Sequence, residues 1–440
     1  MQPPLATSMS ESVSQAVRLS ESGPVIGSGW FALRARQVGG RPTLSRFPMW
    51  VCAGLIAWLV AAVSVASAQT PPPEVWAKDM REELVRIDVT VKDMYGRQET
   101  RAMPVTVFRP LGDGRHPLAV FNHGRAVDSK RAAQGRARAE HTARYLVAKG
   151  FVVMVPTRIG YWETYGDFDP EESGPCHAKR FGPMSDAAAD QVLATVRYAA
   201  TLPHVDVSRW VVAGQSVGGL TTIATVARQP RGLVGGINFA GGAGGNPDTR
   251  KGDPCGANAL GQYWGSLARP GLAPMLWLYW QNDDYWGAEH PRRWHQAWQA
   301  SGGQAEFHSL APTAEGDGHL GQDRDMNQWL PLVDAYLHRL GFTQPAIVAR
   351  PPVNPDLAVT DVSAVPISAS ARSAGYDKFL AARSPRAFAV GDKGGWGYAI
   401  GDYVTGRALG FCQRSGQTCQ LYAVDDDVVW PARARRGQQP

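Results

Sequence analysis

Trp210-Val211-Val212-Ala213-Gly214-Gln215-Ser216-Val217-Gly218-Gly219 decides how this chain is read. The first four residues are a short apolar run, the kind that fills a strand buried on both faces. Gly214 to Gly219 turn the chain sharply, and a helix follows to about Arg228. Strand, glycine-flanked serine and helix in that order give G-x-S-x-G the context it needs. The turn strains the serine backbone and presents its Oγ at the carboxyl edge of the sheet. The backbone N–H of Val217, at the helix start, then faces a developing oxyanion. Ser216 is the candidate nucleophile. A glycine-rich turn with an incidental serine is the plainer alternative.

A nucleophilic serine needs a base and a group to orient that base. In this context the acid and the histidine follow the serine along the chain. Met275 to Trp280 reads as a buried strand, and Gln281-Asn282-Asp283-Asp284 follows it. Asp283 is the candidate acid, with Asp284 the alternative one residue on. His319, in Asp317-Gly318-His319, follows the strand Ala305 to Leu310 and precedes the closing helix, which makes it the candidate base. His308 lies within that strand, and His290 and His295 fall on a preceding helix. Asp317 is placed to fix the histidine loop. The second oxyanion donor is expected in Phe121-Asn122-His123-Gly124-Arg125, as the N–H of Arg125 or, alternatively, Gly124. His123 precedes the nucleophile and is read as ordering this turn.

Outward from this centre the pattern is strand and helix in alternation. Val85 to Val91 and Met103 to Phe108 alternate with period two and open the domain as an antiparallel pair. Leu118–Phe121, Phe151–Val155 and Leu233–Phe239 read as buried strands. Ala137–Lys149, Asp186–Ala200, Pro291–Ala300 and Gln328–Leu340 read as helices. Such alternation implies a mainly parallel sheet with helices on both faces.

The set His123-Gly124, Arg158-Ile159-Gly160-Tyr161, Gly214 to Gly219, Asn238-Phe239-Ala240-Gly241-Gly242, Asn282-Asp283 and Asp317-Gly318-His319 resembles the dienelactone hydrolase-like branch of the α/β-hydrolases. The resemblance covers about residues 85–342. It implies an α/β-hydrolase fold with an eight-stranded sheet, and ester hydrolysis through an acyl-enzyme. That chemistry needs no cofactor. Dienelactone hydrolases proper carry a cysteine nucleophile where this chain has Ser216, are smaller and lack a secretion signal. Their named substrate is therefore not carried over.

The insert Gly160 to Pro183 is expected to be a lid or substrate wall over Ser216. It carries Tyr161, Trp162, Tyr165 and Phe168, then the acidic stretch Asp167 to Glu172. Trp264, Trp280, Tyr285 and Trp286 are further candidates for the cleft, as an acyl pocket or a sugar-stacking surface. Ordinary core and rim packing is the alternative. The substrate-pocket candidates are Arg158, Tyr161, Trp162 and Tyr285. Arg158 would pair a substrate carboxylate or form a structural ion pair. The acidic stretch would bind Ca²⁺ or form a solvated face, the latter preferred.

The remaining features set compartment and organisation. Trp50 to Val65 is almost purely apolar, follows Arg41 and Arg46, and ends in Ala66-Ser67-Ala68. That pattern is a secretory signal, with a membrane anchor as the alternative if it is not cleaved. The preceding residues are too many for its basic region, so translation is expected to start near Leu44 or Met49. The 440 residues carry 45 basic and 39 acidic groups. Without residues 1–68, five Arg and two Glu fewer leave 40 − 37 = +3. No interleaved basic and aromatic pattern appears, which argues against nucleic acid. The Arg-rich stretch Lys130 to Arg144 is expected to be a solvated helix face.

Beyond Cys52 in the signal stand Cys176, Cys255, Cys412 and Cys419, an even count that suggests two disulfides in an oxidising compartment. Proximity favours Cys412–Cys419, which leaves Cys176–Cys255 to tie two long loops; the spacings suit a metal poorly. The expected organisation is signal and upstream residues 1–68, catalytic domain 69–342, Pro-rich linker 343–357, a small Cys-paired domain 358–432 and tail 433–440. An exported serine esterase, periplasmic or secreted, acting on a small-molecule ester is the first reading. A serine peptidase, thioesterase or acyltransferase would use the same triad. A binding module on a vestigial hydrolase scaffold, meeting a cell-envelope partner through the small domain, is the rival from another class.

Overall fold

The computed structural model describes residues 77–431 apart from 112, 347, 349, 402 and 415. The signal-like segment with Cys52 and the tail from 433 lie outside the described residues. Eight strands form one sheet: β1 (Glu83–Lys92), β2 (Gln98–Phe108), β3 (His116–Asn122), β4 (Val152–Pro156), β5 (Val205–Gln215), β6 (Leu233–Phe239), β7 (Met275–Trp280) and β8 (Ala305–Leu310). Their order is β1-β2-β4-β3-β5-β6-β7-β8. β2 runs antiparallel to both of its neighbours, and every pair from β4 to β8 is parallel. The opening pair and the mainly parallel sheet are those expected from the periodicity.

Strand side chains alternate between two cores. Trp210 and Val212 of β5 and Met275, Trp277 and Tyr279 of β7 pack into one. Val211 and Ala213, with Leu276, Leu278 and Trp280, pack into the other. Both faces are covered, so β4 and β7 are apolar at every position. Of the helices α1 (Asp128–Ala133), α2 (Glu140–Ala148), α3 (Phe181–Ala199), α4 (Val217–Ala227), α5 (Ala257–Leu267), α6 (Glu289–Ala300), α7 (Gly321–Arg324) and α8 (Met326–Arg339), α3 to α6 cover the first face. α2 and α8 cover the second. α3 starts five residues before the sequence expectation. Pro183 lies in its first turn, where no N–H is needed.

A second, four-stranded antiparallel sheet lies beyond residue 385. Two short helices, α9 (Ala369–Ala371) and α10 (Asp377–Ala381), precede β9 (Arg386–Gly391) and β10 (Trp396–Ile400). Helix α11 (Val404–Gln413) joins these to β11 (Cys419–Val424) and β12 (Asp427–Val428). Cys412, in the last turn of α11, is bridged to Cys419 at the start of β11. Among its described residues the stretch 343–357, read as a linker, has no helix or strand but is bound at several points. Gln344 donates to the Ala148 carbonyl, Tyr403 to Ala346 and Thr405 to Val348. Tyr403 itself is buried in the second core of the main sheet.

The Arg-rich stretch departs from its sequence reading. Arg131 and Arg144 are buried, Arg136 and Arg138 both pair with Glu82, and Arg144 pairs with buried Asp79. Only α2 runs through its second half, and acidic partners from the segment just before β1 cover it. Those partners lie about 55 to 65 residues away, beyond the reach of a local pattern.

Cys176 and Cys255 are bridged across 79 positions. Closing a loop of that size removes roughly 4 kcal/mol of unfolded-chain entropy. The paired Cys176→Ser/Cys255→Ser variant is expected to lose about 2–4 kcal/mol of unfolding free energy, read from the urea midpoint. An unchanged midpoint would contradict this role.

Candidate active site

Ser216 stands between β5 and α4 with φ 58° and ψ −122°, a region that side chains rarely adopt. Two glycine contacts permit the turn. A Cβ on Gly218 would lie 2.0 Å from the Asn122 carbonyl oxygen, and one on Gly214 would lie 2.2 Å from that of Gly218. The Ser216 N–H donates to Phe239, and its carbonyl accepts from Gly219, Leu220 and Gly242. Val217 opens α4, and its N–H has no partner among the described residues.

β3 ends beside the elbow. Asn122 donates from Nδ2 to the Ala213 carbonyl at 3.1 Å. A Cβ on Gly124 would lie 3.2 Å from the Ser216 Cβ, so the turn 122–125 passes close over the serine. The N–H of Arg125 also has no partner among the described residues. His123 is wedged behind this turn. Its Nε2 accepts the Arg158 backbone N–H at 3.1 Å, so the proton sits on Nδ1, which donates to the Gly124 carbonyl at 2.6 Å. Burial, then the Arg158 charge, hold its pKa well below the ordinary 6.5. His123 is therefore neutral and serves the turn, as its place before Ser216 suggested.

Asp283 follows β7 and is buried. Its Oδ1 accepts the N–H groups of Tyr285 and Trp286 at 2.8 and 3.0 Å. Its Oδ2 lies 3.1 Å from His319 Nδ1. Asp284 turns away to Lys251, at 3.0 Å. Of the two carboxylates, the one that meets the His319 imidazole is that of Asp283. His319 lies in a short 3₁₀ turn, Gly318–Leu320, and is 3% exposed. Its Nδ1–H points to Asp283, which leaves Nε2 as the basic nitrogen. The Tyr285 ring stacks on the imidazole at 3.9 Å between centroids, with Trp286 edge-on at 5.2 Å. Gln215, the residue before Ser216, donates from Nε2 to the His319 carbonyl at 2.8 Å and joins elbow to histidine loop. Among the described residues no hydrogen bond joins Ser216 Oγ to His319. Such contacts are often long without substrate.

The acid and histidine loops are stitched together. Asp317 Oδ1 accepts the N–H groups of His319 and Asp284, at 2.9 and 2.8 Å. Asn282 accepts from Thr313 N–H and donates to the Gly316 carbonyl, each at 3.0 Å. Asp317 was legible as a loop-fixing residue. Asn282 and Gln215 were not assigned roles, though both are amide side chains at the carboxyl ends of strands.

A cleft of about 570 Å³ opens at Ser216, lined also by Val217, Arg125, Tyr285, Trp286 and Lys179. The bridged Cys176 and Cys255 form part of its wall. Tyr285 is where the sequence placed it. Arg158 and Tyr161 are not in the cleft lining: both are fully buried and bind Glu171. The expectation that Arg158 meets a substrate carboxylate gives way to its structural alternative. Trp162 is half-buried and outside the lining, Trp264 is in the core, and Trp280 lies under the histidine loop. The insert supplies Ser173, Cys176 and Lys179 as wall. Within its acidic stretch, Asp169 and Glu171 are bound to arginines. Among the described residues, no group of three or more His, Cys, Asp or Glu could hold a metal ion.

The sheet order, the elbow after β5 and the acid and histidine after β7 and β8 are those of the α/β-hydrolase fold. No family model matches the sequence, and no curated protein does. Solved structures similar to the chain include one from Klebsiella pneumoniae subsp. pneumoniae named for dienelactone hydrolase. It shares 18% identity over 60% of this chain and 100% of that one, with TM-score 0.36. A butyrate-bound esterase from Thermogutta terrifontis shares 16% over 56% and 92%, with TM-score 0.38. An acylaminoacyl peptidase from Pyrococcus horikoshii shares 13% over 59% of this chain, with TM-score 0.40. The match spans only 41% of that peptidase.

Neutral His123 has a consequence for acid stability. The unfolded histidine takes a proton near pH 6.5, whereas the folded one stays neutral well below it. Its contribution is thus complete above pH 6.5 and is lost as the pH falls below that value, at up to about 1.4 kcal/mol per pH unit. Urea unfolding of wild type and His123→Gln between pH 7.5 and 5 is expected to show the steeper loss in wild type. Equal slopes would contradict a neutral buried His123.

Proposed function

We propose that this chain is an exported serine hydrolase that cleaves carboxylic esters through an acyl-enzyme. The observation that carries the reading is the placement of His319. Asp283 holds its Nδ1, Gln215 holds its backbone beside the elbow, and Nε2 is left for Ser216. In this scheme Ser216 Oγ attacks the ester carbonyl as His319 Nε2 takes the hydroxyl proton. Asp283 keeps the productive tautomer and stabilises the imidazolium. The N–H groups of Val217 and Arg125 receive the oxyanion. The tetrahedral intermediate collapses and the C–O bond to the alcohol breaks, with His319 returning the proton to that oxygen. Water, deprotonated by His319, then attacks the acyl carbonyl. Acid is released and Ser216 regains its proton.

Export to the periplasm or beyond is supported by the signal-like segment and by the two disulfides, which persist in oxidising compartments. A role for the small sheet in meeting a cell-envelope partner belongs to the same proposal.

Turnover of p-nitrophenyl esters from acetate to octanoate tests the reading, beside a p-nitroanilide and a thioester of the same acyl group. Ester turnover is expected to exceed both. Ser216→Ala should lower kcat by roughly 10⁶-fold and Asp283→Asn by roughly 10⁴-fold. Asp284→Asn should stay within about threefold. Equal losses in the two aspartate variants would sink the assignment of Asp283.

A further inference from the structure

The insert between β4 and α3 does more than wall the cleft. Behind the turn 122–125, the guanidinium of Arg158 donates to the His123 carbonyl at 2.8 Å, and its backbone N–H fixes the His123 ring. Glu171, from the insert, binds that guanidinium; both side chains are fully buried. Tyr161 donates to the second oxygen of Glu171 at 2.8 Å. Two residues before Glu171, Asp169 takes both arms of Arg125 and also Arg131. The turn is therefore gripped from both ends: at His123 by the Arg158–Glu171 pair, and at Arg125 by Asp169. Between them lies Gly124, whose peptide to Arg125 carries the candidate oxyanion donor.

We infer that Asp169 and Glu171 are positioning residues, which aim the Arg125 N–H at the oxyanion by holding the turn 122–125 against the elbow. The inference rests on the serine hydrolase reading above. Its physical content is preorganisation: a donor held in place needs no rearrangement when charge develops. A flexible lid is a poor description of a segment fixed by one fully buried ion pair, one half-buried ion pair and a disulfide. Burial alone would raise the Asp169 pKa, but Arg125 and Arg131 overcome this and hold it below the usual carboxylate range. The grip is therefore charged at neutral pH.

The test compares wild type with Asp169→Asn, Tyr161→Phe and Glu163→Gln. Glu163 lies in the same insert but pairs with Arg86 on an exposed face, and serves as the control. Two quantities are measured: kcat and KM for p-nitrophenyl acetate, and the rate of inactivation by diethyl p-nitrophenyl phosphate. Asp169→Asn is expected to lower kcat by roughly 10- to 100-fold with KM within about threefold. Inactivation should slow in parallel, because its pentacoordinate transition state needs the same donors. Tyr161→Phe keeps both ion pairs, removes one hydrogen bond from Glu171 and should lower kcat by about threefold with KM unchanged. Glu163→Gln should match wild type. A segment that only walls the cleft would shift KM and chain-length preference and leave kcat on acetate unchanged, which would overturn the inference. Should Asp169→Asn not fold, an unchanged kcat in Tyr161→Phe would overturn it equally. A folded wild type inert to both reagents would refute the serine hydrolase reading, and this inference with it.

Discussion

The backbone of Ser216 is the constraint around which this structure is arranged. Its positive φ costs on the order of 1–3 kcal/mol and persists only because the surroundings over-determine it. Gly214 and Gly218 leave no room for side chains, so β3, β5 and α4 close on one another at the elbow. The Ser216 N–H and carbonyl are both tied, to β6 and to the first turn of α4. The side chain is what remains untied. Apart from Val217, which follows Ser216 directly, the candidate catalytic residues reach the same sheet edge from the ends of other strands: Gly124 and Arg125 after β3, Asp283 after β7, His319 after β8.

A second layer of order is ionic. Arg158 with Glu171 lies buried behind the turn beside Ser216, while Arg144 with Asp79 and half-buried Arg138 with Glu82 tie the stretch around α2 to the segment before β1. Breaking such a pair by removing one partner costs several kcal/mol, because the other charge is left buried alone. These pairs therefore hold particular loops in one geometry rather than add large net stability. The site itself combines the two devices. Backbone N–H groups orient Asp283, aromatic rings clamp His319, and the amides of Gln215 and Asn282 fix the distances between loops.

What the sequence revealed follows the range of the interactions. The strand before Ser216, the strain at the serine and the chain order of acid and histidine are local or topological, and all were legible. Which of Asp283 and Asp284 meets His319 was nearly so, and needed only the direction of one side chain. The role of Arg158 was not legible. Its partner Glu171 lies 13 residues away within an insert of no periodicity, and either pairing or substrate binding would leave the same trace in sequence. Lys130 to Arg144 misled for the same reason. Arginines look solvated until Asp79 and Glu82, from the segment just before β1, cover them. The prolines of 343–357 break helices and strands but say nothing of packing, and Tyr403 reaches this segment from 57 residues beyond Ala346.

The most direct measurement is the site of covalent modification. The folded protein, treated with a fluorophosphonate, is analysed by intact mass and then by peptide mapping. One adduct per chain, on the peptide that holds Ser216, is the expected result. An adduct elsewhere, or none on a folded chain, would contradict the assignment of Ser216 as a nucleophile activated by His319.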